Sequence, residues 1–269
     1  MNKYRLRTDL TKVWGDRTLR AIEALTDFGD VKKGDIGGYV EKEENLSQID
    51  DSWIYGNARV YGNARVHGDA IVSGNAIVYG SARVYDEATV GGSAKVYGEA
   101  MVGGRARVYD EAMVGGSAIV YGSARVYDEA TVGDRARVYD EAMVGGRAKV
   151  FDSACIFGSA IVYGSARVYD EATVGDRARV YDEAMVGGRA KVFDSACIFG
   201  SAIVYGSARV YGGAKVCGEA EVNGKAEVCG GAVIRRLQDY YVSRNTWSSG
   251  RYFTYTRSNR MWRVGCFLG

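Results

Sequence analysis

From Tyr55 to Ile234 the chain repeats a six-residue pattern 30 times without insertion, from Tyr55-Gly56-Asn57-Ala58-Arg59-Val60 to Cys229-Gly230-Gly231-Ala232-Val233-Ile234. The fourth position is always Ala, the sixth always Val or Ile, and the second always Gly or Asp. Side chains alternate across a strand, so positions 4 and 6 share one face and positions 3 and 5 the other. Small and β-branched residues on the first face predict a narrow apolar core. The Ser, Glu, Asn, Arg, Lys and Thr common at positions 3 and 5 predict a wet outer face. Position 2 suits a corner, because Gly, and less readily Asp, accept positive φ. One hexad is therefore a short strand plus a corner.

A single hexad cannot bury its apolar side, but stacked hexads share one continuous core. The fold class expected is all-β, a single-stranded parallel β-helix. With three hexads per coil the 30 hexads give 10 coils, about 48 Å of stack at the usual strand spacing. Residues 1–54 and 235–269 lie outside the repeat and are expected to be small β-rich caps, because an open helix end exposes unpaired backbone. In the first, Tyr4–Leu6, Thr18–Leu25 and Gly37–Val40 read as strands, with turns at Asp27–Asp35 and Glu41–Asp51. In the second, Tyr252–Thr256 and Met261–Phe267 read as a hairpin turning at Ser258-Asn259.

A second period lies over the first. Residues 121–162 and 163–204 are identical over 42 positions, or seven hexads. Seven is not a multiple of three, so the second copy is expected one face further round the helix. Such a duplication scrambles any site that needs one residue type down one face, and leaves the core intact. It reads as scaffold.

Residues 18 apart become vertical neighbours. Tyr61, Tyr79 and Tyr97 are expected to stack at one corner, Tyr121, Tyr139 and Phe157 at another, and likewise Tyr163, Tyr181 and Phe199. These corner ladders read as structural packing, with sugar or base stacking as the alternative use of the rings. Glu87 falls beside Arg105, Glu129 beside Arg147 and Glu171 beside Arg189, as surface ion pairs that set register more than stability.

The pattern resembles the hexapeptide-repeat family. That resemblance implies a left-handed coil of three hexads and favours a trimer among homo-oligomers. In this chain the Gly or Asp falls one place later after the aliphatic than in that family. Many relatives of that kind are acyltransferases using an acyl-CoA, with a His as general base. Here the one histidine, His67, occupies a corner position where Tyr usually stands, and no loop interrupts the repeat. It is the weak candidate for a catalytic residue; no cofactor is expected, and the reading leans against an enzyme. Residues 24–34, 37–40, 45–47 and 53–55 are also similar to the opening of a group of phage, prophage and enterobacterial proteins, some described as acyltransferase-like and some as polymer-forming. Arg244-Asn245, Tyr255 and Gly265-Cys266-Phe267 resemble the C-terminal module of the same group, which there runs on further and would here be truncated.

Composition adds exclusions. The net charge of +2 names no partner, and the polar N-terminus suggests neither signal peptide nor membrane span. Five cysteines without CxxC spacing read as free thiols of a cytoplasmic protein, host cytoplasm included, and give no metal site. Charge is uneven only in residues 235–269, where Arg235, Arg236, Arg244, Arg251, Arg257, Arg260 and Arg263 mix with aromatics around a single acid, Asp239. Such a segment can contact nucleic acid or a protein partner, and a capping hairpin is the favoured reading. The function expected is a non-enzymatic phage or prophage scaffold or binding module with an unknown protein partner, ahead of an acyltransferase and of nucleic-acid binding through those arginines.

Overall fold

The hexads form a parallel β-solenoid of three strands per coil, about eleven turns counted over the whole chain, with essentially no helix. The computed structural model describes residues 2–244 and 252–264, the side chains of Arg244 and of 261–264 excepted. It divides into two units, residues 1–135 and 136–269.

In both units each hexad contributes a two-residue strand from positions 5 and 6, and each strand pairs in parallel with those 18 residues before and after it. The expected three hexads per coil follow from that step. Backbone N–H groups of positions 1, 3 and 5 donate one coil on: Tyr61 to the Val78 carbonyl (3.1 Å), Asn63 to Gly80 (2.7 Å) and Arg65 to Ala82 (2.9 Å). Every position-4 Ala and position-6 Val or Ile is buried. Each buried valine contributes on the order of 1.5–3 kcal/mol, so the core is the main source of stability.

All corner residues at position 2 are left-handed, with φ of 53–60° for the aspartates and 61–74° for the glycines. An Asp there bears conformational strain that a Gly does not. Its carboxylate gives something back: Asp86 Oδ2 accepts from the N–H of Gly104 (3.0 Å), Asp170 from Gly188 (2.8 Å) and Asp194 from Gly212 (2.8 Å), each one coil on. The Gly-or-Asp choice thus exchanges backbone ease for an inter-coil hydrogen bond.

Unit one opens with an antiparallel hairpin, β1 (Tyr4–Trp14) and β2 (Arg17–Ala24), followed by β3 (Ile36–Val40). β1 runs well past the three residues expected. Gly15, at φ 62°, closes a tight turn between Trp14 and Arg17, and a bulge between Arg7 and Thr11 bends the strand. The hairpin tip then lies against the outer side of the first sheet, with Lys12 over the Tyr39 ring (4.3 Å) and Trp14 over the Arg59 guanidinium (4.0 Å).

The solenoid itself begins before the first hexad. Tyr39 and Val40 pair with Arg59 and Val60, Leu46 bridges Val66, and Trp53–Ile54 pairs with Ile71–Val72. Val40, Leu46 and Ile54 are the inward residues of this coil. Its last side is two residues longer than a hexad, which hides it from the repeat count. Buried Asn45 helps complete the coil, its amide donating to the Gly62 (3.1 Å) and Ala64 (2.9 Å) carbonyls.

Lys3 fastens the hairpin to this coil. The residue is 6% exposed, and its ammonium donates to the carbonyls of Asp50 and Ser52 and sits 4.9 Å from the centre of the Phe28 ring. Burial lowers its pKa to about 8, against the pull of Asp50, Asp51 and Asp69. The folded value lies below the ordinary 10.5, so between those values the unfolded chain holds the proton more firmly. Stability therefore rises with pH from about 8 to 10.5, by on the order of 1–3 kcal/mol. Hydrogen exchange of amides 39–54, corrected for intrinsic rate, should show this rise in the wild type and not in Lys3→Met.

In unit two the rotation of the duplicated segment is explicit. Cys155–Ile156 pairs with Arg137–Val138 and Thr173–Val174. Its duplicate, Cys197–Ile198, lies in a different sheet, between Arg179–Val180 and Lys215–Val216. The unit ends in a three-stranded antiparallel sheet of Tyr240–Arg244, Tyr252–Thr256 and Met261–Val264. The turn at 257–260 is the one expected; the first strand was not, and Gly265–Phe267 of the expected hairpin lies outside the described residues.

Candidate functional site

Three places hold the residues singled out by sequence: the corners, the groove beside His67, and the C-terminal sheet.

The corners carry stacks of rings. In unit one Tyr61, Tyr79 and Tyr97 form a continuous ladder, with ring centres 5.3 and 5.5 Å apart and planes within 14°. In unit two Tyr139 stacks on Phe157 (5.5 Å) and Tyr181 on Phe199 (5.1 Å), the same pair of residues on two different sides of the solenoid. Tyr163 is exposed. Tyr121 meets a ring two coils away, Tyr85, at 6.4 Å and 31°. Gly103 lies between them, and a Cβ there would fall 2.4 Å from Tyr85 Cζ. Gly115 seats Tyr97, Gly175 seats Phe157 and Gly187 seats Tyr169 in the same way. Where the residue one coil earlier is aromatic, a position-1 glycine is therefore the berth of that ring, a role the sequence reading missed. Its signal is a Gly 18 residues after an aromatic. Gly103→Ala should displace the Tyr85 ring and lower stability by about 1–3 kcal/mol. Gly133→Ala, with nothing within 4 Å of the added carbon, should be neutral or slightly stabilising; comparing their denaturant midpoints checks this.

The expected ion pairs Arg105–Glu87 (3.1 Å) and Arg189–Glu171 (2.9 Å) are present and largely exposed. Tyr139 also accepts a hydrogen bond from the Cys155 thiol (3.6 Å), and burial with that contact pushes its hydroxyl up to about 12.

His67 lies at the corner next to an open groove of about 530 Å³ lined by Glu43, Glu44, Ser47, Gln48, Arg65 and His67 itself. Its ring stacks on Tyr85 at 5.6 Å and 16°, as a tyrosine would. Nearby Asp50 is held below the usual carboxylate range by the Gly68 N–H (3.0 Å) and the Ser47 hydroxyl (2.9 Å). The groove thus brings together a histidine, two carboxylates and a guanidinium. Among the described residues no group of three His, Cys, Asp or Glu is placed to hold a metal ion, and no helix is long and apolar enough to cross a membrane.

At the other end, the last hexads have no following coil to receive their N–H groups. Side chains of the C-terminal sheet and its approach receive them instead. Asn223 donates to the Tyr240 hydroxyl (3.3 Å), Glu227 to Thr254 Oγ1 (2.7 Å) and Val233 to Ser258 Oγ (2.7 Å). The Asn259 amide donates to the Cys229 carbonyl (3.3 Å), and Lys225 lies over the Tyr252 ring (4.8 Å). These contacts are those of a cap. Arg235, Arg236, Arg257 and Arg260 are exposed around it. Arg251 lies outside the described residues, as do the side chains of Arg244 and Arg263.

No curated protein matches the chain. Residues 54–68 and 70–86 match the model of a family described as the YdcK β-solenoid repeat, so the first hexads are similar to a repeat of that kind.

Proposed function

We propose that this chain is a rigid β-solenoid scaffold that presents its outer faces to a partner and performs no chemistry of its own. The observation that carries the reading is the uniformity of the coils. The same inward Ala and Val pair, left-handed corner and 18-residue pairing recur throughout both units, so the architecture is spent on stiffness and length. His67 fits this reading as one more ring in a corner stack. The resemblance of residues 24–34, 37–40, 45–47 and 53–55 to the opening of phage and prophage proteins favours a phage or prophage setting in the cytoplasm of a host, and solenoid sides of this kind suit association between copies.

The rival reading, acyl transfer with His67 as base, is separable. Incubated with acetyl-CoA and common amine or hydroxyl acceptors, the protein should release no free thiol above background, with His67→Ala indistinguishable from wild type. Release that depends on His67 would overturn the scaffold reading.

A further inference from the structure

Outward basic residues on this solenoid are not placed at random. Arg107 and Arg125 are direct register partners on neighbouring strands, both exposed, and among the described residues neither forms an ion pair. Like charges directly opposite one another destabilise a sheet. The same coil shows that the chain can set acid against base where neutralisation is wanted, because Glu87 pairs with Arg105. Alongside the two arginines, Tyr109 and Tyr127 stack at 5.5 Å and 10°. Thr89, Arg107, Tyr109 and Arg125 line an open groove of about 320 Å³.

The constellation recurs at 42-residue intervals, beyond the segment that is identical. Arg65 opposes Arg83 beside the stacked His67 and Tyr85. Lys149 opposes Arg167 beside the stacked Phe151 and Tyr169 in unit two. Lys191 opposes Arg209 in a fourth. The first and last occurrences have acids at hand: Glu43 and Glu44 line the groove of Arg65, and Glu227 lies 3.6 Å from Arg209. In the two between, the aspartates at the adjoining corners accept from backbone N–H groups one coil on, as Asp110 does from Asp128 and Asp152 from Asp170, and among the described residues the four bases form no ion pair.

We propose that Arg107 with Arg125, and Lys149 with Arg167, are binding sites for a tetrahedral oxyanion, the phosphoryl or sulfuryl group of an anionic ligand. Strands in register lie about 4.8 Å apart, a spacing at which two cationic heads converge on one such group. Guanidinium forks match its oxygens in pairs, and the bound charge removes the repulsion that the empty site bears. Thr89 adds a hydroxyl at the edge of the first site. The proposal goes beyond the scaffold reading and is independent of it: failure here leaves the solenoid without an assigned ligand, and failure of the scaffold reading leaves these sites untouched.

Calorimetric titration of the full chain with inorganic sulfate and, separately, inorganic phosphate, at constant ionic strength in chloride, tests it. Saturable binding of about two equivalents is expected, falling to about one in the double variant R107Q/R125Q. The variant K95Q/K215Q makes the same change in net charge at bases whose register partners are uncharged, and should keep both equivalents. Without the anion R125Q should melt higher than wild type, and with saturating anion that advantage should disappear. The anion bound more tightly identifies the group as phosphoryl or sulfuryl. Non-saturable binding, or equal stoichiometry in wild type and R107Q/R125Q, overturns the proposal.

Discussion

Deleting residues 163–204 should leave a protein that folds with a thermal midpoint within a few degrees of wild type, whereas deleting residues 163–203 should unfold everything that follows. The two deletions differ by one residue. The first removes whole hexads and joins Val162 to Tyr205, restoring the junction that Val204 makes in the intact chain. Later strands move to a neighbouring sheet, at no expense to the core, because each hexad carries the same inward pair. The second shifts every later residue by one place, and in a strand one place reverses inside and outside. Lys215, Glu221 and Glu227 would then point inward and Val216, Val222 and Val228 outward. Five valine or isoleucine side chains between Tyr205 and Ile234 would lose their burial, on the order of 10 kcal/mol. Circular dichroism melts, with limited proteolysis mapping resistance of residues 205–264, separate the two outcomes.

The triple variant Tyr240→Phe, Thr254→Val, Ser258→Ala should loosen the final coil and make the protein self-associate. Each substitution keeps the side chain's bulk close to native but removes the oxygen that receives a backbone N–H, from Asn223, Glu227 and Val233 respectively. The Glu227–Thr254 bond is partly buried and so matters most, at about 1–3 kcal/mol for an amide left without an acceptor. The other two are reachable by water and should contribute about 0.5–1 kcal/mol each. An unpaired row of N–H groups is a template for another strand. Faster hydrogen exchange confined to amides 217–234, together with sedimentation that becomes concentration-dependent, is the expected result; unchanged exchange there would show that the sheet does not cap.

Much of this was legible in the sequence because the repeat fixes local and long-range pairing with one number. A period of six gives the inward pair, and stacking in threes gives each strand its neighbours 18 residues away, so the Tyr61–Tyr79–Tyr97 ladder and the Glu87–Arg105 pair follow directly. Where the period breaks, the signal goes with it. The coil of Val40, Leu46 and Ile54 carries the same three-sided logic, but its eight-residue side and its buried Asn45 replace repeat chemistry with individual hydrogen bonds. The outer half of β1 is largely exposed and bent, and is held by cation–ring contacts that alternation does not announce. The glycine berths depend on a residue 18 places earlier, and the cap acceptors Thr254 and Ser258 on partners 25 to 27 places away. The corner placement of His67 could be read from its position in the repeat, and there its ring stacks on Tyr85. The opposed basic pairs were visible only once the register put Arg107 beside Arg125.

The central claim, that this solenoid is a scaffold and carries no acyl chemistry, is tested most directly by native mass spectrometry of the protein as purified from cells. The account predicts masses that are whole multiples of the 29.1 kDa chain with no adduct of coenzyme A size. A species retaining such an adduct, lost on His67→Ala, would contradict it and return the groove beside His67 to the status of an active site.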